Sequence, residues 1–282
     1  MSVKITKMQG CGNDFVILDY DEFKKFDIPM NEVAMKLCDR HFGIGADGLI
    51  IPNLKTANAD IGWFFYNSDG TTAQMCGNGM RCFAKYVYDN KLIDKNEFTV
   101  STLAGIIKPR ILDDGTVCVN MSKPILESEN IPFLPNNNLK YKISVKNRIF
   151  EGNAISMGNP HFVIYINDDE DLMQLAKTYG PEIETAAEFP EKTNVEFVKI
   201  KSYKKIQLCV WERSCGITLA CGTGACASVV AGILNGYIEN SVEVNLPGGI
   251  VKVDWNGNSQ NSNFDVYLTG PAKYVFETNI EI

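Results

Sequence analysis

The sequence has no apolar run close to the roughly 18 to 20 residues that a membrane-spanning helix needs. Its first ten residues, which end at Gly10, lack the basic stretch and the long apolar segment of a secretory signal. Low-complexity segments are absent as well. These absences argue against a membrane span and against export, and we therefore expect the chain to remain in the cytoplasm.

The chain also lacks a cluster of basic residues, since 27 Lys and Arg stand against 34 Asp and Glu for a formal net charge of −7. Because phosphate contacts supply most of the affinity for nucleic acid, this balance argues against nucleic acid as a partner. The 282 residues are 45% hydrophobic, 22% charged and 10% aromatic. This composition is typical of a globular protein with one large domain or two domains of ordinary size.

Nine cysteines are many for a chain without an export signal, and the number is odd. In a reducing compartment we expect them to be thiols and not disulfides. Most such cysteines are buried and behave as small hydrophobic residues. The question is whether one or two of the nine cysteines differ from the others and have a chemical function.

Hydrophobic periodicity predicts a strand-rich chain with a few helices. The strand candidates are residues 5–8, 15–19, 61–66, 116–121, 161–166, 195–200, 206–211, 242–245 and 264–268. The helix candidates are residues 31–40, 78–89, 169–177 and 223–235. Residues 123–138 are rich in Pro and Asn and form the best candidate for a domain boundary.

Two glycine-rich segments share one pattern, in which Cys-Gly-(Asn or Thr)-Gly precedes a stretch that is typical of a helix. Their cysteines, Cys76 and Cys221, lie 145 residues apart, which is about half of the chain. This spacing indicates an internal duplication with one copy in each of two domains.

A thiol at the start of a helix lies beside unpaired backbone N–H groups and the positive end of the helix dipole. This position predicts a lowered pKa for the thiol, and the same N–H groups can bind a substrate carboxylate. Two such motifs suit the inversion of a stereocentre, which needs a base on one face of Cα and an acid on the other. Backbone N–H groups would stabilise the developing enolate, so the reaction would need no cofactor.

Other interpretations of these motifs stay open. Each could be a helix cap with a buried cysteine. Zinc binding is disfavoured because Cys215, Cys221 and Cys226 lack the short spacing of structural zinc sites. Residues 43–48 match the dinucleotide fingerprint but precede an apolar run, and residues 222–227 open a helix without a convincing strand and acidic residue after it.

Eight segments, in order, resemble the diaminopimelate epimerase family nearly from end to end. They are Met8-Gln-Gly-Cys-Gly-Asn-Asp-Phe, Arg40-His-Phe-Gly-Ile-Gly-Ala-Asp-Gly, Tyr66-Asn-Ser-Asp-Gly, Met75-Cys-Gly-Asn-Gly-Met-Arg-Cys, Met157-Gly-Asn-Pro-His, Thr193-Asn-Val-Glu-Phe, Trp211-Glu-Arg and Ala220-Cys-Gly-Thr-Gly. Each segment alone is weak, but eight in the family's order are highly specific.

The resemblance implies an α/β (α+β) fold of two pseudosymmetric domains, each a strand barrel around a central helix. The first domain would comprise residues 1–121 with 271–282, and the second residues 122–270. The implied reaction converts LL-2,6-diaminopimelate to the meso form, for lysine and cell-wall synthesis, without pyridoxal phosphate or metal. A homodimer is expected on the same ground.

The resemblance also assigns roles to individual residues. Cys76 and Cys221 would be the acid and base, with His161 and Glu212 adjusting their protonation. Donors to the reacting carboxylate would come from Gly77, Asn78, Gly222 and Thr223. The remaining matches would bind the substrate, chiefly at its distal amino and carboxylate groups: Asn13, Asn67, Asn159, Asn194, Glu212 and Arg213.

Each of these assignments has a plainer alternative. The asparagines are also common turn residues, an Arg beside a Glu is often a surface ion pair, and His161, one of only two histidines, could be a satisfied structural histidine. Three positions depart from the family pattern: Ser214 stands in a glycine place, Ile217 where an acidic residue is frequent, and Gly48 where some members carry glutamine. A racemase of the same fold that acts on another amino acid is therefore the alternative function.

Overall fold

The computed structural model describes residues 2–72 and 75–281, and the chain divides into two compact units. The first unit comprises Met1–Asn120 with Thr269–Ile282, and the second comprises Met121–Leu268. The outermost positions of the first predicted domain, residues 1 and 282, lie outside the described residues.

The first unit holds a sheet, a hairpin and three helices. Its strands are β1 Ser2–Gly10, β2 Asn13–Ile17, β3 Gly48–Asn53, β4 Ile61–Asn67, β5 Val100–Thr102, β6 Gly105–Ile107, the hairpin strands β7 Pro109–Ile111 and β8 Val117–Asn120, and the tail strand β18 Lys273–Glu281. Its helices are α1 Tyr20–Phe23, α2 Met30–Cys38 and α3 Gly77–Asp89. The sheet runs in the order β18-β1-β2-β3-β4-β5-β6.

Helix α3 is the central helix of this unit, because it packs against β1, β2, β3, β7 and β8 and most of its residues are buried. Helix α2 covers the opposite face of β3. Strand β3 is therefore buried on both faces and has a continuous apolar run instead of alternation. The guanidinium of Arg81, fully buried in α3, donates to the carbonyl of Pro271 and thus ties the returning tail to the helix.

The second unit is built the same way. Its strands are β9 Tyr141–Val145, β10 Arg148–Ser156, β11 Pro160–Tyr165, β12 Asn194–Ser202, β13 Lys205–Glu212, β14 Gly216–Ile217, β15 Ser241–Leu246, β16 Gly249–Trp255 and β17 Val266–Gly270, whose last two residues are counted with the first unit. Its helices are α4 Leu172–Glu184 and α5 Gly222–Leu234, with a short 3-10 turn at Ser128–Asn130. Helix α5 packs against β10, β11, β12 and β16, while α4 packs against β12 and β13.

The two units repeat one sequence of strand pairings. In the first, β1–β2 is antiparallel, β2–β3 parallel and β3–β4 antiparallel. In the second, β10–β11 is antiparallel, β11–β12 parallel and β12–β13 antiparallel. Helices α3 and α5 each have 13 residues and each begin directly after the motif cysteine. The predicted mixed α+β fold, with two pseudosymmetric halves and a central helix in each, is confirmed.

Some predicted elements differ from the observed ones. The helix predicted at residues 169–177 begins at Leu172, because the carboxylate of Asp171 caps it by accepting from the backbone N–H of Gln174 at 2.8 Å. It then continues through Pro181 to Glu184, since its buried face packs on the sheet. The last predicted strand, at residues 264–268, is shifted to Val266–Gly270. Within the described part of the chain, no helix is long and apolar enough to cross a membrane.

Candidate active site

In the first unit, Cys76 is the N-cap residue of α3, with extended backbone angles. Its sulfur accepts a hydrogen bond from the backbone N–H of Gly79 at 3.4 Å and donates to the amide oxygen of Asn13 at 3.6 Å. The side-chain amide of Asn78 donates to the same oxygen of Asn13 at 3.2 Å. The structure therefore brings two of the sequence-predicted residues, Asn13 and Asn78, together at the half-buried thiol of Cys76, with Gly77 next to it in the first helical turn.

A network of charged residues positions the side chain of Asn13. Its amide nitrogen donates to the carboxylate of Asp47 at 2.5 Å, and Arg40 bridges Asp47 and Asp14 at 2.7 and 2.8 Å. Burial alone would raise the pKa of Asp14, but hydrogen bonds from Arg40 and Lys7 outweigh it and lower the pKa to about 2. This ion-pair network fixes the orientation of Asn13.

Asn67 ends strand β4, directly opposite Gly48 in the ladder. Its side-chain amide donates to the hydroxyl of Thr71 at 3.0 Å, so it closes the turn after the strand. A Cβ atom at Gly48 would lie 2.7 Å from the carbonyl oxygen of Tyr66 and 2.8 Å from the ring of Phe65. At Gly48, where the resemblance led us to note a departure, the ring of Phe65 therefore occupies the space that a larger side chain would need.

In the second unit, Cys221 is the N-cap residue of α5, which begins with Gly222 and Thr223. The thiol is buried, with 5% of the residue exposed, and its sulfur lies 3.5 Å from the hydroxyl of Thr223. Burial first, and then the charges of Glu212 and Glu196, raise the pKa of this thiol well above its usual value, against hydrogen bonds from Thr223 and the backbone of Gly224.

The prediction of a lowered pKa is therefore wrong for Cys221. The helix start does supply N–H groups, but loss of solvation and two neighbouring carboxylates outweigh them. At neutral pH the protonated thiol is the form that this environment favours.

His161 and Glu212 both belong to the surroundings of Cys221. Burial raises the pKa of the Glu212 carboxyl group, while its hydrogen bonds with Thr218 and Cys221 and the nearby His161 lower it. His161 is fully buried, and its two ring nitrogens contact Glu196 at 2.7 Å and Asn159 at 3.1 Å. The amide of Asn159 in turn donates to the hydroxyl of Thr223 at 3.3 Å.

Asn194 and Arg213 meet through the backbone. The side chain of Asn194 donates to the carbonyl of Pro160 at 2.8 Å and accepts from the N–H of Arg213 at 2.9 Å. It is buried, so it supports the loop that carries Arg213. The Arg213 guanidinium donates to the carbonyl of Glu191 at 3.2 Å.

The same loop explains the departure at Ser214. Its φ angle is +64°, in the left-handed region that favours glycine, and this agrees with the glycine that the family resemblance leads us to expect at this position. The carboxylate of Glu184 accepts from the N–H of Ser214 at 2.9 Å and from the indole of Trp211 at 2.7 Å, which holds the strained turn in place. Ile217 lies in the short strand β14, paired with Trp211.

The sequence interpretation missed three acidic residues: Asp47 beside Asn13 in the first unit, and Glu184 and Glu196 in the second. Glu196 lies in the quoted segment Thr193-Asn-Val-Glu-Phe, where a charged residue amid apolar strand residues is a signal of a buried polar role. Among the described residues, no group of three or more His, Cys, Asp or Glu side chains is arranged to hold a metal ion.

Comparisons with known proteins agree with this arrangement. The sequence profile of the family described as diaminopimelate epimerase matches residues 5–127 and 153–275, which correspond to the two halves. A diaminopimelate epimerase of Halothermothrix orenii is 44% identical, over 100% of this chain and 99% of that protein. One of Desulfitobacterium hafniense is 45% identical, over 98% of this chain and 97% of that protein.

Solved structures with much lower identity share the fold. A hydroxyproline epimerase from Agrobacterium vitis matches with a TM-score of 0.69 at 12% identity, over 99% of this chain and 92% of that one. A phenazine biosynthesis protein of the PhzF family from Bacillus anthracis matches with a TM-score of 0.68 at 14% identity, over 100% of both chains. The family profile and the full-length relatives show that this chain belongs to the diaminopimelate epimerase family of isomerases.

Proposed function

We propose that the chain is a diaminopimelate epimerase that converts LL-2,6-diaminopimelate to the meso form, in lysine and cell-wall biosynthesis. The observation that carries the proposal is the pair of cysteine-capped central helices, one in each half of a chain whose full-length relatives have this activity. Acid–base chemistry by two thiols needs only the chain's own groups, and we propose that the reaction proceeds without a cofactor.

Cys76 and Cys221 are the two acid–base groups in this proposal. In one direction the thiolate of one cysteine removes the proton from Cα, and the thiol of the other donates a proton to the opposite face. The enzyme then holds a thiol where it began with a thiolate, so the reverse direction uses the same groups in exchanged roles. Burial and the neighbouring carboxylates raise the pKa of Cys221, which favours its protonated form in the free enzyme.

The starts of helices α3 and α5 supply the stabilisation of the substrate's reacting carboxylate. Proton removal from Cα moves negative charge onto this carboxylate, and the first helical turn presents N–H groups that the helix itself does not use. These N–H groups belong to Gly77 and Asn78 in α3 and to Gly222 and Thr223 in α5. Glycine next to each cysteine lets the carboxylate approach the backbone closely.

The other polar residues bind the rest of the substrate. A guanidinium can hold a carboxylate through two parallel hydrogen bonds, which suits Arg213 to the distal carboxylate. Neutral amides can orient an ammonium and a carboxylate together without changing the charge. This role falls to Asn13, Asn67, Asn159 and Asn194, with Glu212 available to the distal ammonium. His161 and Glu212 adjust the protonation of Cys221.

The test of the proposed function is an assay of purified protein with LL-2,6-diaminopimelate, following formation of the meso isomer by chiral chromatography. Cys76→Ala and Cys221→Ala should each abolish the conversion while circular dichroism shows an unchanged fold. Cys215→Ala is the matched control, because Cys215 is exposed, and it should keep full activity. Conversion by either single variant at the wild-type rate would contradict the roles of the two thiols.

Isotope exchange separates two bases from one. In heavy water, early product should carry deuterium at the inverted carbon, while the remaining substrate keeps its hydrogen. Comparable early labelling of substrate and product would indicate a single base that exchanges its proton with solvent, and would overturn the two-thiol scheme.

The alternative is a racemase of the same fold acting on another amino acid. It has less support, since relatives above 40% identity are diaminopimelate epimerases whereas the hydroxyproline epimerase shares 12%. A panel of amino acids decides between them: turnover of another substrate, with none of LL-diaminopimelate, would establish the alternative. A binding or redox protein that uses the thiols without catalysis would show no turnover in either assay.

The remaining expectations belong to the same proposal. The two compact units would be the two epimerase domains, and the enzyme would work in the cytoplasm without nucleic acid. It would be a homodimer, and strand β18 is the surface that best suits a second copy. This strand lies at the edge of its sheet and exposes 37% of Tyr274, 54% of Val275 and 42% of Phe276. An apolar sheet edge invites pairing with another chain.

A further inference from the structure

We propose that Glu196 is a positioning residue for the second thiol, acting through a hydrogen-bond chain that runs from its carboxylate by way of His161, Asn159 and Thr223 to the sulfur of Cys221. The inference deepens the proposed function and rests on it for the role of Cys221. It gives a role to Glu196, which the proposed function does not use. It also assigns the doubly protonated state to His161.

The first step concerns the charge of Glu196. The residue is fully buried, and one carboxylate oxygen lies 2.7 Å from the Nδ1 of His161. The other oxygen, Oε2, is buried and has no hydrogen-bond partner among the described residues. A buried carboxylate is strongly destabilising unless a positive group compensates it, and a distance of 2.7 Å is typical of a charge-assisted bond. The imidazolium form of His161 is the group that provides this compensation.

The second step concerns the direction of the hydrogen bonds. The amide nitrogen of Asn159 faces the Thr223 hydroxyl, so the amide oxygen of Asn159 faces the Nε2 of His161. An oxygen accepts, and therefore Nε2 carries a proton as Nδ1 does. The Thr223 hydroxyl accepts from Asn159 and is left to donate its own proton to the sulfur of Cys221 at 3.5 Å.

The imidazolium of His161 therefore donates to Glu196 on one side, and on the other side every donor, from Nε2 of His161 to the hydroxyl of Thr223, points toward Cys221. Hydrogen bonds in series polarise one another, so the positive charge of the His161 imidazolium, which Glu196 holds in place, strengthens the last hydrogen bond, from Thr223 to the sulfur of Cys221. Donation from Thr223 favours the thiolate form of Cys221, which opposes the burial and carboxylate charges that favour the thiol. The hydrogen-bond chain thus lowers the free energy of deprotonating Cys221, which converts this residue from the acid to the base.

The third step compares the two halves. Phe15 and Ile50 lie 146 positions before His161 and Glu196, and they occupy the same ladder positions in β2 and β3 as His161 and Glu196 do in β11 and β12. Both are buried and apolar. The framework is therefore built equally well with an apolar pair, and the charged pair at Cys221 is not a requirement of the fold.

The experiment measures the ring protons of His161 by NMR in full-length protein labelled with nitrogen-15 at histidine. The chain has two histidines, and the exposed His41 serves as an internal reference. In the wild type at pH 7 we expect protons on both ring nitrogens of His161. In Glu196→Gln, which keeps the shape but removes the charge, we expect one protonated and one bare nitrogen.

Glu184→Gln is the matched control, because Glu184 is also a buried glutamate of this unit and accepts from Trp211 and Ser214. It should leave the His161 signals unchanged. In the epimerase assay, Glu196→Gln should lower kcat by about tenfold or more with KM little changed, as expected for a group that affects proton transfer and not binding. Glu196→Asp, which retains the charge, should recover part of that loss.

A bare ring nitrogen on His161 in the wild type would overturn the inference, and this measurement does not depend on whether any variant folds. Two protonated nitrogens in a folded Glu196→Gln would overturn it as well. If the wild type fails to convert diaminopimelate while His161 behaves as expected, the proposed function fails and the hydrogen-bond chain stands. If the wild type converts it and His161 has a bare nitrogen, only the inference fails.

Discussion

Gly224 lies directly against Glu196: a Cβ atom added to this glycine would be 2.7 Å from the carboxylate oxygen that His161 contacts. The same added atom would be 3.3 Å from the sulfur of Cys221. In the first half, the corresponding glycine is Gly79, where an added Cβ would be 3.4 Å from the ring of Phe15. Both motifs therefore have a glycine at this position, but a larger residue would clash only at Gly224 and would make an ordinary contact at Gly79.

Gly224→Ala should destabilise the protein and disturb His161, because the added methyl group pushes on the carboxylate oxygen of Glu196 that contacts the imidazole. A buried polar group that loses its partner costs about 1 to 3 kcal/mol of the free energy of unfolding. Gly79→Ala is the matched control, since 3.4 Å is an ordinary contact and alanine favours helix over glycine by up to about 1 kcal/mol. Urea unfolding of both variants measures the difference, and equal losses would contradict the argument.

Glu212→Gln should move the ionisation of Cys221 to lower pH. After burial, the charge of Glu212 is the largest influence that raises the pKa of this thiol, so its removal lowers the free energy of the thiolate. The measurement is the rate of alkylation of Cys221 by iodoacetamide across pH 7 to 11, resolved by mass spectrometry of peptides.

The exposed thiol of Cys215 gives the reference rate in the same samples. Its pH dependence should be the same in wild type and Glu212→Gln, and activity of the variant should fall because we also propose Glu212 as a substrate-binding residue. An unchanged alkylation midpoint for Cys221 would show that Glu212 carries little charge in the free enzyme.

The fold and the two thiols could be predicted from sequence because their signals are local and repeated. The Cys-Gly-x-Gly segments fix the starts of α3 and α5 within one residue, since a cap, a glycine pair and a helix-forming run coincide there. Strand β3 was missed as a strand because both of its faces are covered, so its residues 48–53 show no alternation.

The electrostatics of the site could not be predicted in the same way. The dipole argument for Cys221 considers only the helix that it begins, whereas Glu212 and Glu196 come from β13 and β12. Asp47 and Glu184 act through other residues, by holding Asn13 and Ser214. Such contacts depend on how distant strands pack, and a single sequence does not show this.

Stability should fall with rising pH above about 9, because buried thiols ionise in the unfolded chain before they do in the folded one. Burial raises the pKa of Cys38 and Cys82 to about 12 and that of Cys209 to about 11. A group whose pKa is raised by folding contributes stability below its unfolded pKa, and this contribution is lost as pH rises toward the folded pKa.

The measurement is the free energy of unfolding in urea at pH 8, 9.5 and 10.5. Cys209→Ala should show a shallower loss across this range than the wild type, although it is less stable at pH 8 because of the cavity. Cys215→Ala is the control, since it removes an exposed thiol and keeps the buried ones, and it should leave the slope unchanged. Equal slopes for Cys209→Ala and the wild type would contradict the account.

Val275→Lys should weaken the proposed dimer, because it places a flexible charge on the exposed strand β18 at the sheet edge. Charged side chains on edge strands oppose pairing with another chain, and a buried unpaired ammonium is costly. Val275 is 54% exposed in the single chain, so the substitution should leave the folding of the subunit intact.

Light scattering during gel filtration should show a homodimer for the wild type and a subunit mass near 31.3 kDa for the variant. Leu54→Lys, at a residue that is 62% exposed in the loop after β3, is the matched control and should remain dimeric. A monomeric wild type would remove the homodimer from the proposal, and a dimeric Val275→Lys would move the interface away from β18.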